Sequence, residues 1–161
     1  MIEKILNTKK INYSSNLNED KLKQKIENIF KESNLSFVGK FTNQSEFAAY
    51  DKWTYIAWYV SNFKRKTAYL NGVIIKSGKE TLIKLRIKPN PVIAIFPVFT
   101  VLIGLITSII AASTNDENTL IFGIIIIVVG ILFYLMGFFL RNRLLNNFKK
   151  HLNLQKVQMK N

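Results

Sequence analysis

The chain carries one histidine, His151, set among Lys149, Lys150 and Asn153. An imidazole serves as a general base or a metal ligand, but a lone one with no carboxylate three or four residues away builds neither a relay nor a metal site. There are no cysteines, which removes thiol chemistry, disulfides and cysteine-bound metals. Two pairs of adjacent acids occur, Glu19 with Asp20 and Asp116 with Glu117. The first pair stands at the start of an expected helix and the second in a short polar linker, so neither reads as an acid–base couple. Gly72 and Gly78 fall in an expected β-hairpin rather than in a phosphate-binding loop. The serines lack a histidine partner on any neighbouring element. The sequence therefore predicts no catalytic residues, no cofactor and no metal, in a protein that is not an enzyme.

What the chain has in quantity is positive charge, +13 at pH 7, and aromatic rings beside it. Tyr50, Trp53, Tyr55, Trp58, Tyr59 and Tyr69 are interleaved with Lys52, Lys64, Arg65 and Lys66. Rings between cations suit stacking on nucleic-acid bases. They suit a membrane neighbour more simply, because each Lys or Arg gains about 1 kcal/mol near an anionic surface and Trp and Tyr favour the interface. A bilayer with anionic headgroups is the expected partner, an acidic protein is the next, and nucleic acid is the poorest fit. Trp53, Tyr55, Trp58, Lys64, Arg65 and Lys66 are the candidate partner or ligand surface.

The elements that hold these residues divide sharply by charge. Residues 1–90 carry 17 of the 23 Lys and Arg and 8 of the 10 acids, whereas residues 91–112 and 120–140 carry no charge. At about 1.5 Å per residue each apolar segment reaches just over 30 Å, the thickness of a hydrocarbon core. Two antiparallel transmembrane helices are predicted, joined by the polar loop 113–119. The first 15 residues have no apolar run of signal-peptide length, so residues 1–90 are expected to fold in the cytosol. Lys76, Lys79, Lys84, Arg86 and Lys88 precede the first span, Arg141, Arg143, Lys149 and Lys150 follow the second, and the loop has no cation. That distribution predicts both termini in the cytoplasm and an inner or plasma membrane location. Lys84, Arg86, Lys88, Arg141 and Arg143 are the expected membrane-surface cations.

Gly123, Gly130 and Gly137 repeat every seven residues, a spacing that returns to nearly one helix face. In lipid, helices associate by close approach along small residues. Gly123 is expected near Ser108, Gly130 near residues 101–104, and Gly137 near Ala94. Gly104, Ser108, Gly123, Gly130 and Gly137 are the candidate helix-packing residues, serving the hairpin itself or else a second copy or another membrane subunit.

Before the hairpin the pattern is that of an α+β unit: a small antiparallel sheet with one packed N-terminal helix. Residues 14–33 read as the helix, capped by Asn18 and carrying a stripe of Leu22, Ile26, Ile29 and Phe30. Strands are predicted at 10–14, 36–41, 45–50, 66–76 and 79–88, with a further apolar-aromatic run at 53–60. In the last strand Ile83, Leu85 and Ile87 alternate with Lys84, Arg86 and Lys88, so one face is buried and the other basic. The tail, residues 141–161, is basic and keeps Leu144, Leu145, Phe148 and Leu152 at helical spacing. It is expected to prolong the second membrane helix by two or three turns and to pack on the sheet.

The string running through FVGKF, AYLNGVI and TLIKLRIKPN, with Gly39, Gly72 and Thr81 at its fixed points, resembles a loose group of small bacterial membrane proteins of unassigned function. The resemblance covers roughly residues 10–140 and implies a cytosolic helix and β-meander running into a two-helix membrane hairpin, with no chemistry attached. The abundance of Lys, Asn and Ile fits an AT-rich bacterial genome. The favoured expectation is a membrane-anchored, non-enzymatic interaction module at the cytoplasmic face. The alternative is an accessory subunit, of an immunity type for example, that binds a larger membrane assembly through its hairpin.

Overall fold

A computed structural model describes residues 6–52, 66–77 and 80–156. The fold is α+β. Strand β1 (Lys9–Ser15) precedes helix α1 (Glu19–Lys31), and β2 (Phe37–Phe41), β3 (Glu46–Asp51), β4 (Ala68–Ser77) and β5 (Glu80–Pro89) follow. Helices α2 (Pro91–Thr114) and α3 (Glu117–Leu152) form an antiparallel pair, and the two-residue β6 (Gln155–Lys156) comes last.

Helix α1 starts where the Asn18 side chain accepts the Lys21 N–H at 3.0 Å, and Leu22, Ile26 and Ile29 form its buried stripe. Ser14 pairs with Leu82 as the end of the expected strand, and Ser15, expected inside the helix, extends β1 by pairing with Thr81. A polar cap one turn downstream sets the true start. The sheet order is β2-β3-β4-β5-β1-β6, antiparallel throughout. Alternation is strict in β5: Ile83, Leu85 and Ile87 are buried while Lys84 and Arg86 are exposed. The expected run at 53–60 lies outside the described residues.

Helix α3 is a single rod of 36 residues, about 54 Å long. Its last three turns climb over one face of the sheet and place Leu144, Leu145, Phe148 and Leu152 in the core with Leu70, Ile83 and Leu85. The Phe148 ring stacks on Phe47 at 5.5 Å and meets the edge of Phe37 at 5.9 Å. The core is therefore three-part: α1, the inner face of the sheet, and the end of α3. The opposite, outer face of the sheet bears no helix among the described residues.

The expected loop 113–119 is far shorter than its polarity suggests. The Ser113 and Thr114 hydroxyls donate back to the Ile110 and Ala111 carbonyls, so polar side chains continue α2 to its last turn. Asn115 ends it in a left-handed conformation (φ 52°), and Asp116 caps α3. Both Asp116 oxygens accept from Thr119, one from its hydroxyl at 2.6 Å and one from its N–H at 3.1 Å.

Candidate functional site

Three arrangements use the residues singled out by the sequence. The first is the helix contact. Gly104 and Gly123 face each other so closely that a methyl carbon on Gly104 would stand 2.9 Å from the Gly123 carbonyl oxygen, and one on Gly123 would stand 3.1 Å from the Gly104 carbonyl. Ser108 lies against Gly123 with its hydroxyl donated to the Gly104 carbonyl at 2.9 Å. Further along, a methyl on Gly130 would meet Val101 Cγ2 at 2.7 Å and the Pro97 carbonyl at 3.1 Å. Gly137 faces Ile93, where a methyl would reach Cγ2 at 3.1 Å. Pro97 has no N–H to bond the Ile93 carbonyl, so α2 yields a backbone acceptor on this side. The stripe of small residues is thus occupied by the other helix of the same hairpin.

The second arrangement is the junction where the hairpin meets the sheet. Asn90 caps α2, its side-chain oxygen accepting the Val92 N–H at 2.9 Å, while its amide donates to the Lys66 carbonyl at 2.9 Å. Its backbone N–H donates to the Thr67 carbonyl at 2.9 Å. One buried residue thereby ties β5, the start of β4 and the first turn of α2. On the other helix Arg141 and Arg143, expected at a membrane surface, are turned into the protein. Arg141 is 5% exposed. It donates to the Asn7 backbone carbonyl at 2.7 Å and to the Asn7 side-chain oxygen, and its guanidinium lies 4.7 Å from the Phe138 ring centre. Arg143 donates to the buried Asp51 carboxylate from Nε at 3.2 Å and Nη2 at 2.5 Å. Both arginines are drawn inward because α3 continues past its apolar stretch onto the core face of the sheet.

The third arrangement is the outer face of the sheet. Strand pairing sets its side chains in rows. At the hairpin end one row runs Val38, Tyr50, Tyr69 and Lys88 across four strands. Lys66 joins it, its Nζ 5.0 Å from the Tyr50 ring centre. The next row runs Lys40, Ala48, Asn71, Arg86 and Lys10, and the next Glu46, Val73, Lys84 and Asn12. The twist of the sheet hollows this face into a depression of about 510 Å³ between Lys10, Asn71, Lys84 and Arg86. Lys84, Arg86 and Lys88 thus share one face, as expected, and Lys66 belongs with them. Trp53, Tyr55, Trp58, Lys64 and Arg65 lie outside the described residues.

The chemistry-bearing groups are scattered. His151 is exposed, its ring edge against Phe37 at 6.1 Å. Hydrogen bonds from the Thr119 side chain and backbone hold the Asp116 carboxyl below the usual carboxylate range, and burial pushes the Tyr13 phenol up. Tyr13 sits beside Lys149, about 50 Å along α3 from Asp116. Among the described residues no three His, Asp or Glu side chains converge as a metal site would require.

The sequence signals missed the junction: Asn7, Asn90 and Asp51 carry no motif, and each matters only through partners distant in sequence. Comparison with family models, with curated proteins and with solved structures finds no match for this chain.

Proposed function

We propose that this protein is a membrane-anchored, non-enzymatic interaction module whose sheet stands at the cytoplasmic face of the membrane, both termini on that side. The observation that carries the reading is where the apolar surface lies. Every exposed large hydrophobic side chain among the described residues falls between Val92 and Phe139, on the outward sides of α2 and α3. Only 17% of the most apolar stretch of each helix is buried. A soluble chain does not present such a continuous apolar surface to water, whereas lipid covers it without cost. The count of cations on either side of the spans supports the orientation.

The basic outer face is the module's working surface in this reading, because the opposite face is filled by α1 and α3. The accessory-subunit reading is less well supported, since the glycine stripe that would have offered a binding groove already holds α2. It retains a shallow apolar cleft of about 250 Å³ beside Gly130 and Tyr134.

Alkaline carbonate should leave the chain in the membrane pellet, and a phosphatase fused at Asn118 should be active only on the exported side. Release into the supernatant would overturn the anchor, and a cytosolic Asn118 would overturn the orientation.

A further inference from the structure

We propose that the row formed by Lys66, Tyr50, Tyr69 and Lys88 binds the phosphate of an anionic phospholipid headgroup. This rests on the membrane-anchored reading above and adds a ligand and a place for it.

Lys88 stands two residues before Asn90, the cap of the first apolar helix, so its Cα lies about 7 Å along the strand from that cap. Lys66, two residues before β4, is held at the same level, because its carbonyl accepts the Asn90 amide. Arg86 and Lys84 lie about 13 and 20 Å from Asn90 along β5, beyond the reach of a simple headgroup. Of the outer-face cations among the described residues, Lys66 and Lys88 are therefore the pair at phosphate depth.

Tyr69 pairs directly with Lys88 and Tyr50 with Tyr69, so two phenols share the row with the two lysines. The Tyr50 ring already holds the Lys66 ammonium over its face at 5.0 Å. This costs part of the side-chain freedom before any ligand arrives. Half-buried Tyr at an interface gives an apolar body to glycerol and acyl carbons and a hydroxyl to the headgroup.

Selectivity is set by what the row lacks. Asp51, next to Tyr50 in sequence, points to the core face and pairs with Arg143. Glu46 lies four residues up β3, about 13 Å away. A zwitterionic headgroup would find the two cations but, among the described residues, no carboxylate on this row for its own ammonium.

The test uses the full-length protein in mild detergent, titrated with short-chain phosphatidylglycerol or phosphatidylcholine and read as bound lipid by native mass spectrometry. Phosphatidylglycerol should be retained in preference to phosphatidylcholine. Lys66→Gln with Lys88→Gln should weaken phosphatidylglycerol about 30-fold, a factor of about five for each charge. Lys21→Gln with Lys76→Gln, which removes as much charge from exposed positions elsewhere, should change it less than threefold. Equal losses in the two double variants would overturn the site in favour of diffuse attraction. Glycerol phosphate that displaced the lipid at equal concentration would overturn the lipid assignment in favour of a soluble phosphate ligand. All variants should remain in the carbonate-washed membrane. A wild type that was itself released would overturn the anchoring reading and, with it, the lipid assignment.

Discussion

Asp51 sits at the end of β3 with 1% of its side chain exposed, and Arg143 reaches it from the first turn of α3 beyond its apolar stretch. Removing one member of a buried ion pair leaves the other's charge less well compensated, so Arg143→Ala should destabilise the fold by about 3 kcal/mol. The low end of the usual range applies because Arg143 keeps 22% of its side chain in solvent. Denaturant unfolding of the detergent-solubilised chain, followed in the far ultraviolet, measures it; an unchanged midpoint would mean that the pair holds nothing together. Arg141 is held differently. Asn7 adopts a left-handed backbone (φ 51°), which Asn tolerates better than most residues, and presents its carbonyl and side-chain oxygens to the guanidinium. Both arginines look like headgroup cations when charge is counted outward from the apolar span. For Arg141 the helical phase carried better information: Arg141, Leu145, Phe148 and Leu152 fall on one stripe, at steps of four, three and four. A cation on that stripe goes where the stripe goes, into the fold. Asn7 as its acceptor was beyond sequence reasoning, being 134 residues away.

At the scale of elements, the heptad glycines were the most legible feature, because regular spacing on a helix fixes a face whatever the partner. Close backbone approach leaves no room for a side chain at Gly130, where an added methyl would stand only 2.7 Å from Val101 Cγ2 and 3.1 Å from the Pro97 carbonyl, inside van der Waals contact. Gly130→Leu should therefore force the helices apart and cost about 2 kcal/mol or more, visible as a thermal midpoint lowered by roughly 4–8 °C. Leu132→Ala, on an outward position 60% exposed, should leave that midpoint within a degree or two. If Gly130→Leu unfolded at the wild-type temperature but lost a co-purifying protein, the stripe would serve a partner and the anchor reading would fall. Element ends were less legible than faces. Ser113, Thr114 and Asp116 read as loop by polarity, yet each satisfies helix-end groups, the first two by bonding backward and the third by capping forward. Local hydrogen bonding, not hydropathy, decided where α2 stopped and α3 began. The neighbour relation β1 with β5, and the short β6 beyond it, had no local mark at all.

Over the whole molecule, two rigid connections join the hairpin to the sheet. Strand β5 passes through Pro89 and the Asn90 cap straight into α2, and α3 runs unbroken from the hairpin tip to the core residue Leu152. Pairs from α3 to Asn7, Asp51 and Ser36 add struts near the same end of the sheet. The sheet consequently cannot swivel on the hairpin as a domain on a linker would, and its basic row is held at a set height and angle above the spans. This coupling has a direct geometric test. Inserting one alanine between Leu140 and Arg141 keeps α3 helical but turns everything beyond it by about 100°. Leu144, Leu145 and Phe148, buried at 1%, 4% and 0%, would then leave the sheet, and the arginines would lose Asn7 and Asp51. The glycine contacts, all N-terminal to the insertion, would stay in phase. Hydrogen exchange should show the amides of Leu70, Ile83 and Leu85 losing most of their protection while those of α2 and of α3 up to Leu140 keep theirs. The chain should still resist carbonate extraction. Full protection of the sheet in the insertion variant would mean that α3 bends or breaks at the junction. The fixed height of Lys66 and Lys88 above the hairpin would then need another cause.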